Sequence, residues 1–177
     1  MSNKKHVKNK TTGDHFMANP VRVFIHGLES SGKGTKGTFF SEHYPDMIVE
    51  DYHGPLRARM TKLKEVLSER ENLIIVGSSF GGLMASIFAC DNRNKVNKLI
   101  LLAPALELQE FNSCRKERLN IPVVVYHGSK DDVVPINPVR EIASEIFANL
   151  EYNIIDDNHS IEKNFKLLDW NRLLCYE

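Results

Sequence analysis

From Pro20 onward the chain alternates between two hydrophobic rhythms. Short runs rich in β-branched residues recur as "VRVFIHG" (21–27), "DMIVED" (46–51), "NLIIVGS" (72–78), "KLILLAP" (98–104), "PVVVYHG" (122–128) and "LEYNIID" (150–156). Runs of this length and composition, ending in Gly, Asp, Ser or Pro, predict strands. Longer segments of helical period lie between and after them, at 32–42, 55–71, 80–91, 136–149 and 160–174. In the second of these, Leu56, Met60, Leu63, Val66 and Leu67 share one face, as an amphipathic helix on a core requires. Strands alternating with crossover helices predict an α/β fold with a six-stranded, mainly parallel sheet and helices on both faces. The stretch 105–121, "ALELQEFNSCRKERLNI", interrupts the rhythm. It is too polar to be a buried helix and too short to be a further domain.

Composition narrows the class of partner. Lys plus Arg and Asp plus Glu number 23 each, so formal net charge is zero. A balanced chain is not built to hold nucleic acid or anionic lipid, and a small molecule is the expected partner, bound by a monomer or small homo-oligomer. No run approaches the ~20 apolar residues that span a bilayer. The basic start, "MSNKKHVKNK", has no apolar stretch behind it and does not read as a secretory signal. Residues 1–19 are expected to form a disordered tail and 20–177 one domain. Cys90, Cys114 and Cys175 are odd in number and widely spaced, which fits reduced thiols in a cytoplasm and neither a disulfide framework nor a metal site. Cys90 falls in the apolar pattern of "LMASIFAC" and is expected to pack as a small hydrophobe. No cofactor is indicated.

In sheets of this kind the reactive groups gather at the carboxyl ends of the strands. The third strand is followed by "GSSFGG", in which Gly77, Ser79 and Gly81 form GxSxG between a strand and a helix. The glycines allow a sharp turn that lifts the serine hydroxyl above the sheet as a nucleophile elbow. A serine needs a base, and the base an orienting acid. Asp131 and Asp132 follow the fifth strand in "HGSKDDVVP", and His159 follows the sixth in "DDNHS". Taken singly these are an N-cap, a turn carboxylate and a loop histidine; together they give serine, acid and histidine in an order suited to a triad. Backbone donors for an oxyanion are expected at Phe80, the residue after the serine, and at Leu28, in the loop after the first strand.

That first loop, "HGLESSGKGT", also has Gly27, Gly32 and Lys33 at phosphate-loop spacing. It departs from that motif where Gly34 replaces the Ser or Thr after the lysine, and from the adenylate-kinase variant where Ser30 replaces a glycine. Little positive charge is gathered nearby to hold three phosphates. Nucleotide binding is therefore the lesser reading, beside a non-catalytic binding module that keeps the three residues unused.

With the "HGLESS" loop, the "GSSFGG" elbow and the late Asp and His in place, the chain resembles the α/β-hydrolase superfamily. The likeness is to its small capless bacterial members of the YqiA-like esterase type, over about residues 20–175. The resemblance implies a minimal α/β-hydrolase fold without a cap domain, lacking the first two strands of the full superfamily sheet. It implies a serine hydrolase that cleaves a small carboxylic ester or thioester through an acyl-enzyme on Ser79, with His159 moving the proton. In the family pattern HGxxD the acid is the fourth residue after the histidine, which selects Asp131 over Asp132; His26 and His127 fall at positions the family uses structurally. The segment 105–121 lies where larger members insert a lid. An open site is therefore expected, with Leu28, Phe80, Leu106, Phe111 and His53 as candidates for the substrate pocket.

Overall fold

The computed structural model describes residues 19–175, so the tail expected at 1–19 lies, but for its last residue, outside the described residues. Six strands form one parallel sheet: β1 (Val21–Ile25), β2 (Ile48–Val49), β3 (Leu73–Ser78), β4 (Val96–Leu102), β5 (Leu119–Gly128) and β6 (Phe147–Ile155), in the order β2-β1-β3-β4-β5-β6. The helices are α1 (Thr35–His43), α2 (Leu56–Val66), α3 (Phe80–Asp91), α4 (Ile136–Ile146) and the short α5 (Trp170–Leu173).

Strand alternation divides the core in two, because successive side chains leave a strand on opposite faces. Val23, Leu73, Ile75, Leu99, Leu101 and Val123 turn to one side and meet Met60 and Leu63 of α2, Leu83 and Phe88 of α3, and Val139 and Ala143 of α4. Phe24, Ile74, Val76, Ile100 and Leu102 turn to the other and meet Phe40 of α1 and Trp170 and Leu173 of α5. Phe40, Phe165 and Trp170 pack there ring against ring, with centroids about 5 Å apart, a favourable aromatic separation.

The strand order reverses beside β1, whose two neighbours are β2 and β3. The switch point is the crevice at the carboxyl ends of β1 and β3, where open α/β sheets bind their ligands. Ile25 pairs with Gly77, so the loop after β1 and the turn after β3 emerge side by side.

The helices expected over 55–71 and 136–149 end at Val66 and Ile146, the second running straight into β6, and three further elements differ in kind or start. The helix expected over 160–174 is broken into a 3-10 turn at Phe165–Leu167 and α5, with Leu168 extended between them. Asp169 caps α5 by accepting from the Arg172 amide, and the Asp157 carboxylate takes the Asn164 and Lys163 amides. Local capping thus holds the chain to the sheet where periodicity alone would continue a helix. The first helix starts at Thr35, because the Gly32 amide is tied sideways to the Asp51 carboxylate. The 105–121 stretch contains a 3-10 helix, Gln109–Lys116, whose apolar residues Phe111 and Cys114 are buried. Cys114 packs in the core with the half-buried Cys90 against it.

Candidate active site

Ser79 occupies the turn between β3 and α3 with φ 54° and ψ −118°. A left-handed backbone at a non-glycine residue costs about 1–3 kcal/mol and persists only where its surroundings enforce it. The enforcement is visible on both sides. The Ser79 amide donates to the Leu102 carbonyl at 2.8 Å, and the Ser79 carbonyl accepts from Gly82 at 2.9 Å. A side chain at Gly77 would meet the backbone of Gly81 and Gly82, and one at Gly81 would strike the Ile25 carbonyl. Only glycine lets the helix start this close to β1.

Above the elbow, the Ser79 hydroxyl donates to His159 Nε2 at 3.0 Å. His159 Nδ1–H donates to Asp131 Oδ2 at 2.8 Å. Asp131 is fully buried at its side chain, and its other oxygen accepts from the Val133 and Val134 amides at 2.9 and 2.8 Å. Burial works to raise the Asp131 pKa, but those amides and the His159 imidazole outweigh it and hold the carboxyl below its ordinary value. Asp132, one residue on, is exposed.

Behind Asp131 stands His127, wholly buried. Its Nε2–H points at Asp131 Oδ2, 3.0 Å away, and at the Val134 carbonyl, 3.1 Å away. Its Nδ1 accepts from the Tyr152 hydroxyl at 2.6 Å. Burial lowers the His127 pKa, so the ring is a neutral spacer. The loop bearing His159 is fixed by Asp157, whose Oδ2 accepts from the Asn164 amide and side chain at 2.8 and 3.0 Å. Lys36 of α1 holds the same loop by donating to the Ser160 carbonyl at 2.6 Å.

The loop after β1 faces the elbow directly: a side-chain carbon at Gly27 would sit 3.4 Å from Ser79 Cβ. His26 is buried and locked between two backbone groups. Its Nε2 accepts from the Tyr52 amide at 2.8 Å, which leaves the proton on Nδ1 to donate to the Gly27 carbonyl at 2.7 Å. Burial lowers its pKa, so this tautomer is the resting form. The Gly27 carbonyl and the Leu28 amide belong to one peptide unit, and planarity makes them point opposite ways; fixing one aims the other. Neither the Leu28 amide nor the Phe80 amide donates to an acceptor among the described residues. Both residues line a cavity of about 760 Å³, together with Ser79, His159, Val133 and Phe165.

Several expected lining residues lie elsewhere. Leu106 and Phe111 are 1% and 0% exposed and belong to the core beneath the sheet's α2–α3–α4 side, because the 109–116 turn folds its apolar residues inward. His53 is exposed and is not among the residues that line the cavity. In their place stand Thr35, Lys36, Glu107 and Leu108, which a linear reading does not single out. Thr35 and Lys36, at the start of α1, reach the cavity wall. Glu107 carries a buried Oε2 without a partner among the described residues, and burial pushes its carboxyl pKa up. Where a phosphate loop would offer the Gly32 amide to an anion, that amide is already taken by Asp51. Among the described residues no group of three His, Cys, Asp or Glu side chains is placed to hold a metal ion, and no helix is long and apolar enough to cross a membrane.

Comparison with known proteins gives this arrangement its context. Among curated proteins none matches the sequence. Solved structures do: alpha/beta hydrolase domain-containing protein 10 from mouse is 18% identical, with a TM-score of 0.70 over 96% of this chain and 89% of that one. The monoacylglycerol lipase of Paleococcus ferrophilus is 14% identical, with a TM-score of 0.70 over 88% of this chain and 95% of that one. Est1E from Butyrivibrio proteoclasticus is 17% identical, with a TM-score of 0.71 over 88% and 86%. At such identities the likeness is one of fold. The model of the alpha/beta hydrolase family matches residues 57–164, a span that includes Ser79, Asp131 and His159 and more than half of the chain. The chain belongs to the alpha/beta hydrolase family, with no cap domain among the described residues.

Proposed function

We propose that this protein is a serine hydrolase that cleaves a small carboxylic ester or thioester through an acyl-enzyme on Ser79. The observation that carries the reading is the unbroken hydrogen-bond chain from the Ser79 hydroxyl to His159 at 3.0 Å and from His159 to Asp131 at 2.8 Å, at the mouth of the cavity. These separations are within the reach a nucleophile, its base and an orienting acid require.

In the proposed reaction Ser79 Oγ attacks the substrate carbonyl carbon while His159 Nε2 takes the hydroxyl proton. Asp131 stabilises the imidazolium and keeps Nδ1 protonated. Negative charge moves to the carbonyl oxygen, where the Leu28 and Phe80 amides receive it. The tetrahedral adduct collapses, the carbon–oxygen or carbon–sulfur bond to the leaving group breaks, and His159 gives its proton to the departing alkoxide or thiolate. Water, deprotonated by His159, attacks the acyl-enzyme; the carboxylic acid leaves and Ser79 recovers its proton. Two features support a modest acyl substrate: a cavity of about 760 Å³ and a wall in which Leu28, Phe80, Leu108 and Val133 are mixed with Glu107 and Lys36.

A fluorophosphonate probe should label the protein at one site, and Ser79→Ala should abolish the labelling. Labelling that survives in the variant removes Ser79 as nucleophile, and an unlabelled wild type that turns over no member of an ester and thioester panel leaves a binding module as the better description.

A further inference from the structure

Arg59 lies in the first turn of α2, directed inward, and is 5% exposed. Its Nε donates to the Gly54 carbonyl at 2.8 Å and its Nη2 to the Leu28 carbonyl at 3.1 Å. The guanidinium carbon lies 5.5 Å from the centroid of the Phe80 ring. Nη1 is buried with no hydrogen-bond partner among the described residues. Among the described residues no carboxylate pairs with Arg59: its partners are two carbonyls and a ring face.

A buried cation without a counter-ion opposes folding, because carbonyl acceptors recover part of its lost hydration and only a close negative group recovers the rest. Nothing in the packing of α2 calls for arginine. Leucine or methionine at this position would cover the same apolar surface without a charge, and the helix already anchors through Leu56, Met60 and Leu63. The two residues the guanidinium touches near the cavity, Leu28 and Phe80, are the two whose backbone amides lack acceptors beside Ser79. Arg59 itself does not line the cavity, so it acts through them.

We infer that Arg59, beside His26, is a positioning residue of the oxyanion hole, a reading that rests on the acyl-enzyme function proposed above. It holds the carbonyl of the next peptide unit, Leu28 to Glu29, and braces the Phe80 ring, so that Leu28 and Phe80 are tied to one group. Its unpaired charge sets a positive potential behind them. The missing counter-ion is the negative charge that forms on the substrate carbonyl oxygen in the transition state. An interaction realised only in the transition state raises kcat and leaves substrate binding nearly untouched.

The test compares wild type, Arg59→Met and Arg59→Lys for the rate of fluorophosphonate labelling, for kcat and KM on one ester, for affinity for a boronic acid that forms a tetrahedral adduct with the serine, and for melting temperature. Removing a direct oxyanion donor costs about 10²–10³ in kcat; for a residue one contact behind, Arg59→Met should lose about 10- to 100-fold, with KM within twofold. Boronate affinity should fall by the same factor while the melting temperature holds or rises. Arg59→Lys, which keeps the charge but lacks the fork to reach Gly54 and Leu28 together, should fall between. Labelling and kcat at the wild-type level in Arg59→Met overturn the inference alone. A loss of kcat with boronate affinity intact also overturns it, as does a Lys variant no better than Met, which would leave the charge without effect. If Arg59→Met fails to fold, Arg59→Lys decides by its kcat-to-boronate correspondence. A wild type that the probe does not label at Ser79 overturns the acyl-enzyme reading, and the inference with it.

Discussion

Two buried charges flank Ser79, and the fold treats them in opposite ways. Asp131 is surrounded by donors: the Val133 and Val134 amides on one oxygen, His127 and His159 on the other. Arg59 has two carbonyls, an aromatic face and one nitrogen with nothing to bond. The acid side is electrostatically complete before any substrate arrives. The opposite side is left incomplete, and in the proposed reaction what would complete it is an oxygen that bears full negative charge only part-way through. Burial in both cases strengthens the interaction, but under the proposed mechanism it works on the ground state at Asp131 and on the transition state at Arg59.

The contrast can be broken most severely at His159, which links the complete side to Ser79, the proposed nucleophile. His159→Ala should lower kcat/KM by about 10⁴ or more, measured by steady-state hydrolysis of the best ester in the panel. Asp131→Asn should come next, at about 10³–10⁴, because an amide cannot favour the imidazolium and offers the wrong hydrogen-bond pattern to His127 and His159. Arg59→Met, at one to two orders of magnitude, should be smaller than either and should differ in kind, by sparing the melting temperature.

The same comparison has a pH signature. Asp131 has a folded-state pKa below its unfolded value, so its contribution to stability is fully present above the ordinary carboxylate range, about 3.9, and is lost as pH falls through the lower folded value. Melting temperature should therefore drop more steeply in that acid window for wild type than for Asp131→Asn, and equal slopes would show that Asp131 is not held as described. The smallest effect is expected at the far end of the relay. Tyr152→Phe removes the donor to His127 Nδ1 and leaves a buried acceptor unpaired, at about 1–3 kcal/mol of stability, while turnover changes by about threefold or less because His127 keeps its bond to Asp131. Denaturant unfolding and kinetics on the same preparation separate the two.

How much of this was legible in the sequence follows the range of the interactions involved. Strand runs and most helices are written in local periodicity, and the six-stranded parallel sheet follows from them. Ser79, Asp131 and His159 sit just past strand ends, where short motifs mark position, so their order was legible; whether they meet within hydrogen-bond reach was not, because that depends on how three distant loops fold. Leu106, Phe111 and His53 were misplaced as lining residues because pocket walls are set by which way a turn folds, and the 109–116 turn folds inward. The broken helix after Ile161 depended on Asp157 capturing amides several residues away. Arg59 left one faint trace: it falls three residues after Leu56 and four before Leu63, on the buried side of α2, where a charged residue contradicts the pattern. What it is for required the loop after β1 and the elbow after β3 to be seen against it, and neither is near it in sequence.

The backbone of Ser79 has a consequence beyond chemistry. With φ at 54°, glycine would occupy the same turn with less conformational cost, and the turn's hydrogen bonds run through main-chain atoms that glycine also has. A lineage selected only to stay folded would drift to glycine at this position and gain stability by it. Serine is the poorer choice for the scaffold, and its presence marks the turn as a place where stability yields to another demand.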